Sequence, residues 1–395
     1  MTSFQKLCTE TSNELMNHIM PFWNKLKDER GGFYGYMDFD LNLDKDAEKG
    51  VILNSRIMWF YSNIYLTMKN AESLLYAKHA YDFLKKHCVD KTYGGVYWTL
   101  NADGNPCDDM KHTYNQAFAI YGLASYYDAA GDKEALALAY ELYHVIEKKC
   151  VDQYGYLEAF DRQWKLIDND KLSEEGYSAN KTMNTLLHII EAYTELYRVD
   201  QNEDVGKKLR YALQLCKEKV YNPKDEMLDV FFDEEMNSIA EIYSYGHDIE
   251  AAWLIDRACE VLNDKDLADE FSTLIMIITD HSLETAFENG AMNNQYCRDE
   301  IDKTRVWWVQ AEAIVGSINA LQKSGEQKYL AYALEIWEYI KKYIIDKREG
   351  SEWYWDVDEN GNPTSKKPIV EPWKCPYHNG RMCMEVLKRY AYIHG

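Results

Sequence analysis

Apolar positions recur with a helical period in twelve separate stretches, and between them the pattern breaks into short alternating runs rich in aromatic residues and glycine. The helical stretches cover 4–28, 52–68, 71–88, 111–130, 133–148, 180–198, 203–220, 245–262, 266–287, 305–323, 326–345 and 378–391. Many short joins carry turn chemistry, as in AAGDKEA from Ala129 and KSGEQK from Lys323. The alternating runs are GGFYGYMDFD from Gly31, YGGVYWTLNADG from Tyr93, YGYLEAFDRQWKL from Tyr154, MLDVFFDEEMN from Met227, NGAMNNQYCRDEID from Asn289 and GSEWYWDVDENG from Gly350. Their onsets lie about 60 residues apart, once about 73, and each predicts a short hairpin or extended loop.

The chain opens on a helix without a partner, and its last helix lacks one too. Pairing 4–28 with 378–391 closes six helical hairpins into a ring. The prediction is an all-α chain forming a single (α/α)6 barrel over 1–395, with short β-hairpin loops on one rim. An open helical solenoid would need capping repeats at its ends, and the sequence has none.

In such a ring every helix that follows a long loop lies on the inside, and the unusual residues fall there. Arg56 sits in VILNSRIMWFYSN, and KHTYNQAF brings His112, Tyr114 and Asn115. NKTMNTLLHIIEAY places Asn184 and His188 four apart on one face. YSYGHDIEAAWL carries His247 and Glu250, TRVWWVQAEA carries Arg305, Trp308 and Glu312, and PWKCPYHNGRMCMEV carries Trp373, His378 and Arg381. The intervening helices, such as AESLLYAKHAYDFLKK, have ordinary charged outer faces. Six parallel inner helices bring their polar N-terminal portions to one rim, which predicts a cleft there. His112, His18, His79 and His144 read as structural groups.

Composition narrows the chemistry. With 44 basic and 66 acidic residues the formal charge is −22, which argues against a nucleic-acid or anionic-membrane partner. The chain is 14% aromatic, with 32 Tyr and 11 Trp, residues suited both to helix contacts and to a sugar-binding cleft. Nine cysteines without scaffold spacing or a CxxC pair read as reduced thiols. No signal-peptide pattern or uninterrupted apolar span is present, so a cytoplasmic protein is expected. His247, His188 and His378 with Glu250 or Glu312 form no HExxH or tight His/Cys cluster, and the glycine pairs open no phosphate cradle. No metal and no cofactor are therefore expected.

The segments RIMWFYSN, KHTYNQAFAIY, EAFDRQW, KTMNTLLHIIEAY, SYGHDIEAAWL, TRVWWVQAEA and PWKCPYHNGRMCMEV resemble the N-acylglucosamine 2-epimerase superfamily, and within it the cellobiose 2-epimerase branch. The resemblance runs from about residue 56 to 386. It implies an (α/α)6 barrel that epimerises C2 of the reducing-end glucose of a β-1,4-linked disaccharide through ring opening and a cis-enediolate, without metal or redox cofactor. By the same resemblance His247 and His378 are the proton-transfer pair, and Arg56 lies near the sugar oxygens. Glu250 is the carboxylate near the reducing-end sugar and its ring opening, and Glu312 hydrogen-bonds a catalytic histidine. Tyr114, Asn184 and His188 contact substrate, Trp308 and Trp373 stack on or enclose the sugars, and Trp307 and Trp253 are neighbouring aromatic candidates. No catalytic position departs from the family pattern. A glycoside hydrolase would cast Glu250 and Glu312 as its paired carboxylates but leave both histidines without a task. An aldose–ketose isomerase would share the enediolate and return the proton to C1. A non-catalytic sugar-binding protein would give no reason for the histidines. A closed ring needs no partner, so a monomer is expected.

Overall fold

The computed structural model describes residues 2–169, 171, 176–364 and 366–394. Twelve helices form among them. The first, α1, runs as Ser3–Glu14, a π-helical turn at Leu15–Ile19, and Met20–Asn24. The others are α2 (Val51–Met68), α3 (Ala71–Phe83), α4 (Thr113–Ala130), α5 (Lys133–Lys149), α6 (Met183–Asp200), α7 (Glu203–Leu215), α8 (Tyr245–Leu262), α9 (Lys265–Ala286), α10 (Trp307–Ser324), α11 (Gln327–Tyr339) and α12 (His378–His394). Outer helices α3, α7 and α11 continue into π-helical turns at Leu84–Cys88, Cys216–Val220 and Ile340–Ile344.

The even-numbered helices are buried almost all round; in α2 every residue from Val51 to Ile64 is buried. A helix without a wet face belongs inside. They form a closed inner ring, with α2 on α4, α4 on α6, α6 on α8, α8 on α10, α10 on α12, and α12 back on α2. The amphipathic odd-numbered helices pack outside, and α1 lies against α12 as the closing hairpin. The (α/α)6 barrel predicted from the sequence is the observed fold.

The first five inner helices each turn into their outer partner through two residues. The first takes a left-handed conformation (Lys69, Gly131, Gln201, Asn263, Gly325), which ends the inner helix. The second starts the outer one, and Asn70, Asp132, Asn202 and Asp264 each accept a backbone N–H there. Such tight joins leave no material at that end, so all long loops gather at the other.

On that rim, the strand entering each inner helix pairs antiparallel with a strand of the next loop. Lys49–Gly50 pairs with Thr99–Leu100, Lys111–His112 with Ala159–Phe160, and Lys181–Thr182 with Phe231–Phe232. Ile242–Ser244 pairs with Gln295–Cys297, and Arg305–Val306 with Asp356–Val357. A bridge between Val370 and Met37 completes the sixth step and ties the last loop to the first. This pairing explains why helices predicted from 111, 180 and 305 begin two or three residues later, at Thr113, Met183 and Trp307.

Buried cations pin three of these strands and the last loop. Lys49 meets Asp28 at 2.7 Å, Lys111 meets Asp90 at 3.1 Å, Lys181 meets Asp152 at 2.7 Å, and Lys374 is buried against Glu352. All nine cysteines are free thiols. No helix among the described residues is long and apolar enough to cross a membrane.

Candidate active site

The first two turns of the inner helices carry the polar groups. Helix α8 enters from the strand Ile242–Ser244, so His247 lies in its first turn with Nδ1 2.8 Å from Ser244 Oγ. Gly246 precedes it for a steric reason: a Cβ there would stand 2.6 Å from the Trp308 ring. Without one, the indole closes on His247, with ring centroids 4.7 Å apart. The same indole meets His378 at 5.3 Å, so Trp308 touches both imidazoles.

His378 opens α12 and is held from behind. Its Nδ1 lies 2.7 Å from Glu312 Oε1. Glu312 also accepts from Arg381 Nη2 at 2.7 Å and, through Oε2, from Trp253 Nε1 at 2.9 Å. An ionised carboxylate only accepts, so Nδ1 carries the imidazole proton and Nε2 is the open nitrogen. Burial pushes the Glu312 carboxyl up, with the Arg381 guanidinium and the Trp253 indole pulling against it. Burial also holds His378 well below the ordinary imidazole value and takes His247 down to about 4, with Arg56 adding to the latter.

Arg56, on α2, is caged by aromatic rings, with Phe118 at 4.2 Å and Tyr377 at 4.7 Å from its guanidinium carbon. It donates to Tyr114 Oη at 2.8 Å and to the Trp373 carbonyl at 3.4 Å. Tyr114 packs edge-on to His188 at 5.1 Å, and burial lifts its phenol to about 12. His188 gives Nδ1 to Glu191 Oε2 at 3.0 Å, and burial keeps this ring below the ordinary value too. Trp373 meets Trp98 at 5.8 Å.

The Tyr377 ring, 4.6 Å from His378 and 4.7 Å from the Arg56 guanidinium carbon, joins His247, Trp308, His378 and Glu312 to Arg56, Tyr114, His188 and Trp373. Glu250 joins them from below through Arg381, and its Oε2 is buried without a partner. Asn184 lies in the first turn of α6 with Oδ1 likewise unpartnered. Trp253 and Trp307 are almost wholly buried, Trp253 bonded to Glu312 and Trp307 edge-on to His378. Arg381 covers the Trp253 ring at 4.8 Å and Lys374 the Trp307 ring at 4.4 Å. His112 caps the first turn of α4, accepting from Tyr114 N at 3.2 Å, as a structural group would.

Sequence reasoning passed over Glu191 and Tyr377 and gave Arg381 no task. Arg381 bonds Glu191, Glu250 and Glu312 together, and Tyr377 Oη donates to Glu191 at 2.6 Å. Against the upward push of burial, Arg381 and then His188, with Tyr377 adding, drive the Glu191 carboxyl down to about 2. A signal existed: His188/Glu191, His247/Glu250 and His378/Arg381 repeat one histidine-then-charge spacing of three on three inner helices. Donor atoms of Glu250, Glu312 and His378 lie within 4.8 Å of one another, a grouping that suits a cation. The Arg381 guanidinium bonded to both carboxylates already supplies that positive charge.

Buried imidazoles, a caged guanidinium and carboxylates thus meet at one end of an (α/α)6 barrel, a set of groups able to accept and donate protons. The N-acylglucosamine 2-epimerase (GlcNAc 2-epimerase) family profile matches residues 32–379. The cellobiose 2-epimerase of Ruminococcus albus is 59% identical over 384 residues, spanning 97% of this chain and 99% of its own. That of Dictyoglomus turgidum is 47% identical, spanning 97% and 98%. The solved cellobiose 2-epimerase of Bacillus thermoamylovorans superposes with a TM-score of 0.94 at 43% identity, covering 98% of this chain and all of the other. The chain belongs to the N-acylglucosamine 2-epimerase family and, within it, to the cellobiose 2-epimerases.

Proposed function

We propose that the protein epimerises C2 of the reducing-end glucose of β-1,4-linked disaccharides, reversibly and by proton transfer alone. The substrates are cellobiose, giving glucosyl-mannose, and related disaccharides such as mannobiose or lactose. The observation that carries the reading is the pair His247 and His378, both against Trp308, with His378 oriented by Glu312.

The proton on C2 is acidic only while C1 is a carbonyl, so the ring opens first, with Glu250 or His188 as the shuttle between O1 and O5. His378 Nε2 then takes the C2 proton of the gluco epimer, leaving a planar cis-enediolate. His247 returns a proton to the opposite face, and the roles exchange in the reverse direction. Burial and Arg56 hold His247 low in the free cleft, so it takes one proton from solvent water before transfer, delivers that proton to C2, and His378 afterwards returns the proton it removed to solvent. Arg56 stabilises that charge, and one such preorganised donor contributes about 3 kcal/mol at a transition state. Tyr114 fixes the guanidinium, Asn184 and His188 add hydrogen bonds, and Trp308 and Trp373 supply indole area for the sugar C–H faces. Trp253 and Trp307 act from behind, holding Glu312 and backing His378.

In this reading the whole chain is one catalytic domain and a monomer, since the ring closes on itself, and its nine free thiols suit a reducing compartment such as the cytoplasm. Incubation with cellobiose, followed by carbohydrate chromatography and NMR, tests the assignment. Glucosyl-mannose is the expected product. Free monosaccharides, or a 2-keto disaccharide without the C2 epimer, would overturn it.

A further inference from the structure

His188 and His378 stand on different helices but are built alike. Each lies against a buried glutamate through Nδ1, Glu191 at 3.0 Å and Glu312 at 2.7 Å. One side chain joins the two glutamates: Arg381 reaches Glu191 with Nη1 and Glu312 with Nη2, and Nη2 also meets Glu250. None of these four charged groups is more than 3% exposed. Tyr377 Oη adds a bond to Glu191, and the Tyr377 and Trp253 rings lie 4.2 and 4.8 Å from the guanidinium carbon. Three dry carboxylates therefore depend on one fixed cation.

We propose that Arg381 is a positioning residue: as the shared counter-ion of Glu191 and Glu312 it keeps the proton on Nδ1 of both His188 and His378 and so leaves both Nε2 atoms open. A buried carboxylate without a counter-ion takes up a proton. A protonated Glu312 either donates to Nδ1, moving the ring proton to Nε2, or passes its proton on and leaves an imidazolium. Both routes put a proton on Nε2, and the base is lost. The same holds for Glu191 and His188. Lysine does not replace this residue, because one ammonium lacks the planar fork that meets two carboxylates on opposite sides.

The inference rests on the proposed reaction only for its kinetic consequence; the imidazole states are read without any sugar. Arg381 also lines a well of about 1060 Å³, bounded by Met68, Asp128, Arg198 and Asn263 at the end of the barrel away from the loops. A slot left by Arg381→Ala is thus open to a small cation from that side. The test is long-range 1H–15N NMR of the full chain labelled on histidine, at neutral pH. The native protein is expected to show protonated Nδ1 and bare Nε2 on His188 and His378. Folded R381A is expected to carry a proton on Nε2 of His378 and to lose about 100-fold or more in kcat, with KM within a few-fold. Guanidinium ion, far below denaturing concentration, restores both readouts, whereas methylammonium restores neither. If R381A does not fold, R381K is read in the same way without the rescue. Bare Nε2 on both histidines in a folded variant of lowered kcat would overturn the inference, whatever sugar the enzyme turns over. Absence of epimerisation by the native protein, with the imidazole states as described, would instead refute the proposed reaction alone.

Discussion

Replacing Glu312 by glutamine probes the site at the point where its hydrogen bonding is least forgiving. The carboxylate has three partners, and all of them donate: His378 Nδ1 and Arg381 Nη2 at 2.7 Å, and Trp253 Nε1 at 2.9 Å. An amide has one acceptor oxygen, so one donor must face its NH2 in either orientation. With the NH2 towards Trp253, the indole N–H is buried without a partner, which costs about 1–3 kcal/mol. With the NH2 towards His378, the ring must accept at Nδ1, the proton moves to Nε2, and Arg381 loses a bond as well. The first orientation is the cheaper, and it still removes the negative charge that stabilises the imidazolium formed during proton abstraction. Glu312→Gln is therefore expected to remain folded, to lose about 2 kcal/mol of stability, and to lose about 10²–10⁴ in kcat with little change in KM. Chemical denaturation and initial rates of cellobiose conversion measure the two effects. A folded variant with kcat within a few-fold of the native value would refute the assignment of Glu312 as orienter of His378.

Other outcomes follow from single contacts. Arg56→Met should raise the His247 midpoint from about 4 part of the way towards 6.5, because burial, the larger cause, remains; histidine NMR titration reads this directly. Asp248 is buried with Oδ2 unpartnered, and burial lifts its carboxyl well above the usual range. The unfolded chain therefore releases this proton at lower pH than the native one, so stability falls as pH rises from about 4 to the native midpoint. Asp248→Asn should abolish that slope, and its gain over the native protein in urea denaturation should grow with pH; a gain independent of pH would contradict this. Lys374→Met leaves Glu352 buried without its cation and should cost about 3–5 kcal/mol in thermal or urea unfolding, with a loss under 1 kcal/mol counting against the pair.

The ring was legible because each of its parts has a local signal. Helical periods, turn residues such as Gly131–Asp132 and Gly325–Glu326, and glycine-rich aromatic loops all repeat, and repetition fixes which helices face inward. Boundaries slipped where a residue's fate depends on a distant strand: nothing near Lys111 says that it will pair with Phe160. The rim residues were legible as polar intrusions into apolar helices. Their division into layers was not, since Trp307 and Trp308 are neighbours in sequence and differ only in which ring face Lys374 and the helix packing cover. The Glu191–Arg381 link spans 190 residues between α6 and α12, and only ring closure brings its ends together. That the two histidines act on one carbon, rather than merely sharing Trp308, is a matter of chemistry and calls for a chemical test.

Conversion of cellobiose in D2O, stopped at low extent and read by NMR at C2, tests the central claim of two bases on opposite faces. Two bases give epimerised product carrying deuterium at C2 while the remaining cellobiose stays protonated there. Product that keeps its original C2 proton would mean that one group takes and returns it, and would rule out two bases on opposite faces.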